Sequence, residues 1–141
     1  MAQLHLSVVT PEATVRDEPV DYVVVPLFDG EIGIAPGHSP MIGRLGFGEL
    51  RYRQGEKTIR YYVDGGFVQV TGVLVSVLTN RALLAETLDP AVIAEQLAAA
   101  RARPASGPDE MALRDRSVQQ ARAQLRVAQH KHSGSRSGGH H

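Results

Sequence analysis

The chain has no cysteine among its 141 residues. That excludes a disulfide framework, a thiolate metal site and a thiol nucleophile. Aromatics are scarce, at 5% of the residues, and they are not interleaved with the basic patch that nucleic-acid binding requires. No nucleic-acid partner is expected. No apolar run approaches the roughly 18 residues of a membrane-spanning helix, and the amino terminus lacks a basic region followed by a long apolar stretch. The expectation is a soluble protein made without a signal peptide, reaching any membrane only through a partner. Net charge is also missing, at +0, but the zero hides an asymmetry. Residues 1–88 carry seven Lys/Arg against ten Asp/Glu, whereas residues 89–141 carry eight against five. A basic excess on the second part suits an acidic protein surface or nucleic acid, and a solvated helix face explains it equally well.

Short strands separated by turn residues fill the first part. Leu4, Leu6 and Val8 alternate with more polar neighbours, as a half-buried strand requires. Tyr22–Val25 is a continuous apolar strand, expected to be buried on both faces. Arg51–Arg53 and Lys57–Val63 flank Gln54-Gly55-Glu56, a glycine-bearing hairpin loop. Thr71-Gly72 separates Phe67–Val70 from Val73–Leu78. Strands at this spacing predict an antiparallel sandwich or flattened barrel.

The character changes at Asp89. Asp89-Pro90 pairs an N-cap acceptor with proline at the first helical position, predicting a helix to about Arg103. Pro104 to Pro108 breaks it. Ser106 or Gly107 then caps a second helix, with Asp109 and Glu110 at its positive end. Met111, Val118, Ala121, Leu125 and Ala128 form its narrow apolar stripe. The expected domains are residues 1–88, a β-sandwich; residues 89–130, a thin alanine-rich helical hairpin; and residues 131–141, a disordered tail without an apolar side chain. His130, His132, His140 and His141 are metal-ligating types, but such a tail offers no preorganised geometry. A native low-complexity end or an expression remnant accounts for them, and no metal site is expected.

Catalytic chemistry is hard to find. His38 lies near Asp29 and Glu31, yet sequence proximity supplies no hydrogen-bond geometry, and no nucleophile stands beside an oriented base. Asp64-Gly65-Gly66 is not followed by the Lys of a phosphate-binding loop. A bulge or a close backbone approach within the sheet explains it better. No catalytic residue and no enzyme activity are expected.

The most informative stretch is Asp29 to Leu50. Its order G-I-x-P-x-H-x-P, carried by Gly33, Ile34, Pro36, His38 and Pro40, resembles the amino-terminal domain of the epsilon subunits of bacterial F-type ATP synthases. Tyr62 to Val70, with Asp64-Gly65-Gly66-Phe67, is similar to that family's glycine-pair strand. The opening LHLSVVTPEATV fits too. The resemblance covers residues 3–88 closely and the helices loosely.

Several expectations follow from the resemblance. The fold is a β-sandwich of about ten mostly antiparallel strands in two sheets, followed by a C-terminal helical hairpin. The function is that of a non-catalytic central-stalk rotor subunit of a proton-translocating ATP synthase. It would lie peripherally on the cytoplasmic face of the bacterial inner membrane. Its partners would be gamma, the c-ring and, through the helices, the catalytic alpha and beta subunits. Glu31, His38, Ser39 and Met41 become candidates for c-ring contact, with Ile34 and Pro36 shaping the loop. Arg114, Arg116, Arg122 and Arg126 become candidates for a regulatory contact that resists ATP hydrolysis when the hairpin extends. Some members bind ATP between the two helices through an [IL]-D-x-x-R-A motif. Here Asp109-Glu110 stands at its start, Leu113-Arg114 replaces Arg-Ala and Gln120 replaces a later Arg. The motif is not preserved, and no cofactor is expected. The competing classes are a free-standing β-sandwich binding module and a small hydrolase. The first lacks a reason for the motif order, the second a nucleophile.

Overall fold

The computed structural model describes residues 3–138, with side chains described for residues 3–130. The chain divides into two compact units between Leu84 and Ala85.

The first unit contains eight strands: β1 (Leu4–Val9), β2 (Thr14–Val20), β3 (Tyr22–Leu27), β4 (Gly30–Ile34), β5 (Met41–Gln54), β6 (Lys57–Thr71), β7 (Leu74–Leu78) and β8 (Ala82–Leu84). Hydrogen bonding runs continuously in the order β2-β1-β7-β6-β5-β3-β4, with β8 also on β6. All pairs are antiparallel except β1 with β7. The two long strands, of 14 and 15 residues, belong to both layers of the sandwich. This corrects the expected strand number. The resemblance implies about ten strands in two sheets; among the described residues there are eight, and β5 and β6 pair through Leu45↔Gly66 and Phe47↔Asp64 without a shift of register.

The sandwich closes because its first edge folds over its middle. Tyr52 donates its hydroxyl hydrogen to Glu18 at 2.7 Å, and the Arg16 guanidinium donates to the Tyr61 hydroxyl at 2.6 Å. Gln54 donates to the Pro19 carbonyl at 2.8 Å. Between these layers lies the core. Leu4, Leu6 and Val8 of β1 are buried, as their alternation predicts, against Val23, Val25, Leu50, Val63, Val68, Val70, Val75 and Val77. Val23 to Val25 are all buried, but Tyr22 at the start of β3 is exposed. Gln54 pairs with Lys57 and Thr71 with Leu74, so both predicted hairpin turns form.

Asp64-Gly65-Gly66 is the close approach that its glycines suggest. A Cβ on Gly66 would stand 1.9 Å from the Leu78 carbonyl oxygen. β7 and β8 pair with β6 on either side of this point, leaving residues 79–81 between them. Side chains bridge the gap in the ladder. The Thr79 hydroxyl accepts from the Asp64 N–H at 3.0 Å, and the Asn80 amide donates to the Asp64 carbonyl at 3.0 Å.

The second unit opens with one 3-10 turn, Ala85–Thr87, followed by α1 (Pro90–Ala102) and α2 (Gly107–Gly138). Asp89 caps α1 by accepting from Ala91 N–H at 3.0 Å, with Pro90 in the first turn. Glu110 reaches back to accept from the Ser106 N–H at 2.9 Å, which ties the interhelix turn to α2. Ile93, Leu97 and Ala100 are the buried side of α1. On α2 the apolar stripe differs from the expected one. Ala121, Ala123, Val127 and Ala128 are buried, whereas Met111 is 46% exposed. Alanine, which adds little volume and loses no rotamer freedom, dominates the buried side. α2 also continues past Lys131, where composition predicts disorder. A helix already nucleated adds residues cheaply, and no proline stops this one before Gly138. Residues 139–141 of the expected tail lie outside the described residues, as do the side chains of His132, His140 and His141.

Candidate docking surfaces

Each surface is built by strand register or helix phase. The motif stretch forms β4 and the loop that returns to β5. His38 N–H donates to the Ala35 carbonyl at 3.1 Å. Pro36 and Gly37 occupy the two central positions, with Gly37 at φ +91°. That is the type II arrangement, proline first and glycine where φ must be positive. The turn fixes His38, whose Nδ1 lies 2.7 Å from the Ser39 carbonyl. Glu31, an exposed residue on β4, pairs instead with Arg51 at 3.4 Å. Arg51 also reaches Glu49 at 3.4 Å. No hydrogen bond or ion pair among the described residues joins Glu31 to His38, so they form no acid–base pair. Ser39 is exposed, while Met41 is half-buried and packs against the core. The structure thus exposes two of the four candidates, Glu31 and Ser39, and leaves His38 and Met41 half-buried.

Beside Met41, Ile42 is 73% exposed, and it opens a surface that the motif reading does not anticipate. Directly opposed residues of paired strands share one face. Arg44 opposes Phe67, which opposes Leu78, and Leu78 lies beside Val9. Ile42 opposes Gln69, which opposes Ser76. Thr71 opposes Leu74. The alternate residues Leu45, Val68, Val70, Val75 and Val77 point into the core. The outer face therefore carries an apolar seam across β5, β6 and β7, with Phe67 56% and Leu78 55% exposed. Phe28 extends the seam past β5. Its N–H donates to the Arg44 carbonyl at 3.1 Å, and its ring lies 5.6 Å from the Arg44 guanidinium carbon. At the opposite edge His5 is bonded to Asp17. The signal for this face was present in the sequence as Phe67, Leu74 and Leu78, which stand with Gln69, Thr71 and Ser76 at the positions where a half-buried strand shows only polar residues.

The regulatory candidates all lie on α2. Arg114 is partly exposed and stands 4.0 Å from Asp115, and Arg116, Arg122 and Arg126 are exposed. Arg114, Arg122 and Arg126 fall within one arc at offsets of eight and four residues, and Arg116 lies off it. Among the described residues no group of three His, Asp or Glu side chains could hold a metal ion. No described helix is long and apolar enough to cross a membrane.

Residues 3–85 match the family described as ATP synthase, Delta/Epsilon chain, beta-sandwich domain. The ATP synthase epsilon chain of Rhodopirellula baltica is 46% identical over 121 residues, covering 86% of this chain and 94% of that one. That of Symbiobacterium thermophilum is 40% identical over 131 residues, covering 91% and 94%. The fold is also similar to a chain in the Euglena gracilis mitochondrial ATP synthase OSCP/F1/c-ring structure. The TM-score is 0.79 at 24% identity, covering 87% of this chain and 79% of that one.

Proposed function

This chain belongs to the ATP synthase epsilon-chain family, and from that premise we propose that it joins gamma to the c-ring as a rotor subunit of the central stalk. On this reading it is a stalk subunit rather than a catalytic one. The observation that carries the reading is the outer face of the sandwich. A sheet that leaves Ile42, Phe67 and Leu78 more than half exposed side by side has the character of a protein-binding surface. Gamma is the partner assigned to it. The loop end with Glu31, His38 and Ser39 then meets the polar loops of the c-ring, supported by the exposed Glu31 and Ser39, the half-buried His38 and the turn beneath them. The exposed arginines of α2 support a brake on hydrolysis, exerted against acidic surface on a catalytic subunit. Such a subunit works at the cytoplasmic face of a bacterial inner membrane, held there by its partners.

Co-expression with gamma from the same organism tests this directly. The expected outcome is a stoichiometric complex that survives gel filtration. A folded chain that elutes alone in the presence of folded gamma overturns the reading and leaves a free-standing binding module.

A further inference from the structure

Arg44 stands inside the apolar seam with no carboxylate to answer it. Phe67 faces it directly across β6, and Phe28 lies under its guanidinium at 5.6 Å. Arg44 takes part in none of the ion pairs among the described residues. Asp17, across the sheet on β2, is already bonded to His5. Any partner that covers Phe28, Phe67 and Leu78 must also strip water from this guanidinium. A cation buried without a counter-charge is strongly unfavourable, so a purely apolar partner surface would be rejected here. Stacking on Phe28 leaves the edge of the planar guanidinium free, and that edge matches a carboxylate through two parallel N–H donors. We propose that Arg44, flanked by Phe28 and Phe67, selects and orients the partner on this face by pairing with a carboxylate that the partner presents. The inference rests on the reading that gamma docks here, and it adds the chemistry that the docked surface must carry: apolar ground around one acidic side chain. The same chemistry acts as a filter, because a lysine or a bare apolar surface opposite Arg44 leaves the charge unpaired.

The test titrates purified gamma from the same organism with the full chain and with Arg44→Met, Arg44→Lys and Phe67→Asp, at low and moderate salt. All substituted side chains are exposed, and thermal midpoints close to wild type confirm the fold. Arg44→Met should weaken binding about tenfold or more and flatten its salt dependence. Arg44→Lys should restore only part of the affinity, because an ammonium cannot make the two-pronged contact. Phe67→Asp should weaken binding at least as much. Failure of the wild-type chain to bind gamma would overturn the rotor reading itself. Normal binding by both Phe67→Asp and Arg44→Met would move the dock elsewhere and overturn this inference alone. Weakening by Phe67→Asp with normal binding by Arg44→Met would keep the face and remove the carboxylate.

Discussion

Two carboxylates show how differently single residues are used in this unit. Glu18 serves the fold. Its carboxyl is held below the usual range chiefly by the Tyr52 hydroxyl, with help from Gln54 and Arg16 against the opposing effect of burial. The Tyr52 hydroxyl is correspondingly pushed up, first by burial and then by Glu18. A carboxyl whose folded pKa is depressed contributes stability above its unfolded pKa and loses it as pH falls through the folded one. Glu18→Gln should therefore lower stability at neutral pH by about 1 kcal/mol, for one charge-assisted bond weakened, and the thermal midpoint should fall with it. It should also flatten the fall of the midpoint below about pH 5. Scanning both proteins across that range checks it, and parallel curves would exclude Glu18 as the titrating group. Glu31 instead sits on the outside, and its pair with Arg51 is worth only about 0–1 kcal/mol. Glu31→Ala and His38→Ala should leave folding and gamma binding nearly unchanged. If this loop meets the c-ring, the double variant should weaken coupling of proton flow to ATP synthesis in reconstituted enzyme. A variant with full coupling would sink the contact.

Strands were legible in the sequence where burial alternates simply, and obscure where one strand serves two layers. Leu4, Leu6 and Val8 read correctly because β1 has one wet face. β6 read only in part: its glycine pair was legible as a close approach within the sheet, but Lys57–Val63 and Phe67–Val70 read as two strands rather than one. In the structure the glycines let the strand pass under the Leu78 carbonyl while Thr79 and Asn80 take over the hydrogen bonds. The outer seam escaped notice for a related reason: periodicity reports apolarity on both faces but not which face a partner will cover. The glycine argument makes a contrast that can fail. Gly66→Ala meets backbone at 1.9 Å, whereas Gly72→Ala, at φ +59°, meets nothing within 4 Å. The first should cost about 2–4 kcal/mol and the second about 1–2 kcal/mol. Equal loss in urea melts of the two variants would mean that β6 can shift at this point, and that the close approach is not a constraint.

At the scale of the molecule, the helical unit is the part least determined by its own packing. Its buried side sets Leu88, Ile93, Leu97 and Val127 among alanines, so modest apolar area holds the hairpin, and on the braking reading proposed above a partner that binds one state better by a few kcal/mol redirects it. The charge distribution says what such a partner should look like. Residues 89–141 carry the basic excess, and Arg122 and Arg126 are exposed with Arg114 within the same arc. Single exposed ion pairs are weak, but a cluster held against carboxylates at a partly dehydrated interface contributes more and is screened less. Replacing Arg114, Arg122 and Arg126 together by alanine keeps a good helix former at each position, so assembly should survive. Hydrolysis by complexes carrying the triple variant should rise above the wild-type rate at low salt, and the difference should shrink as salt increases. A measured rate identical to wild type at both ionic strengths would show that the basic arc is only solvated, and that any brake in this hairpin works by shape rather than by charge.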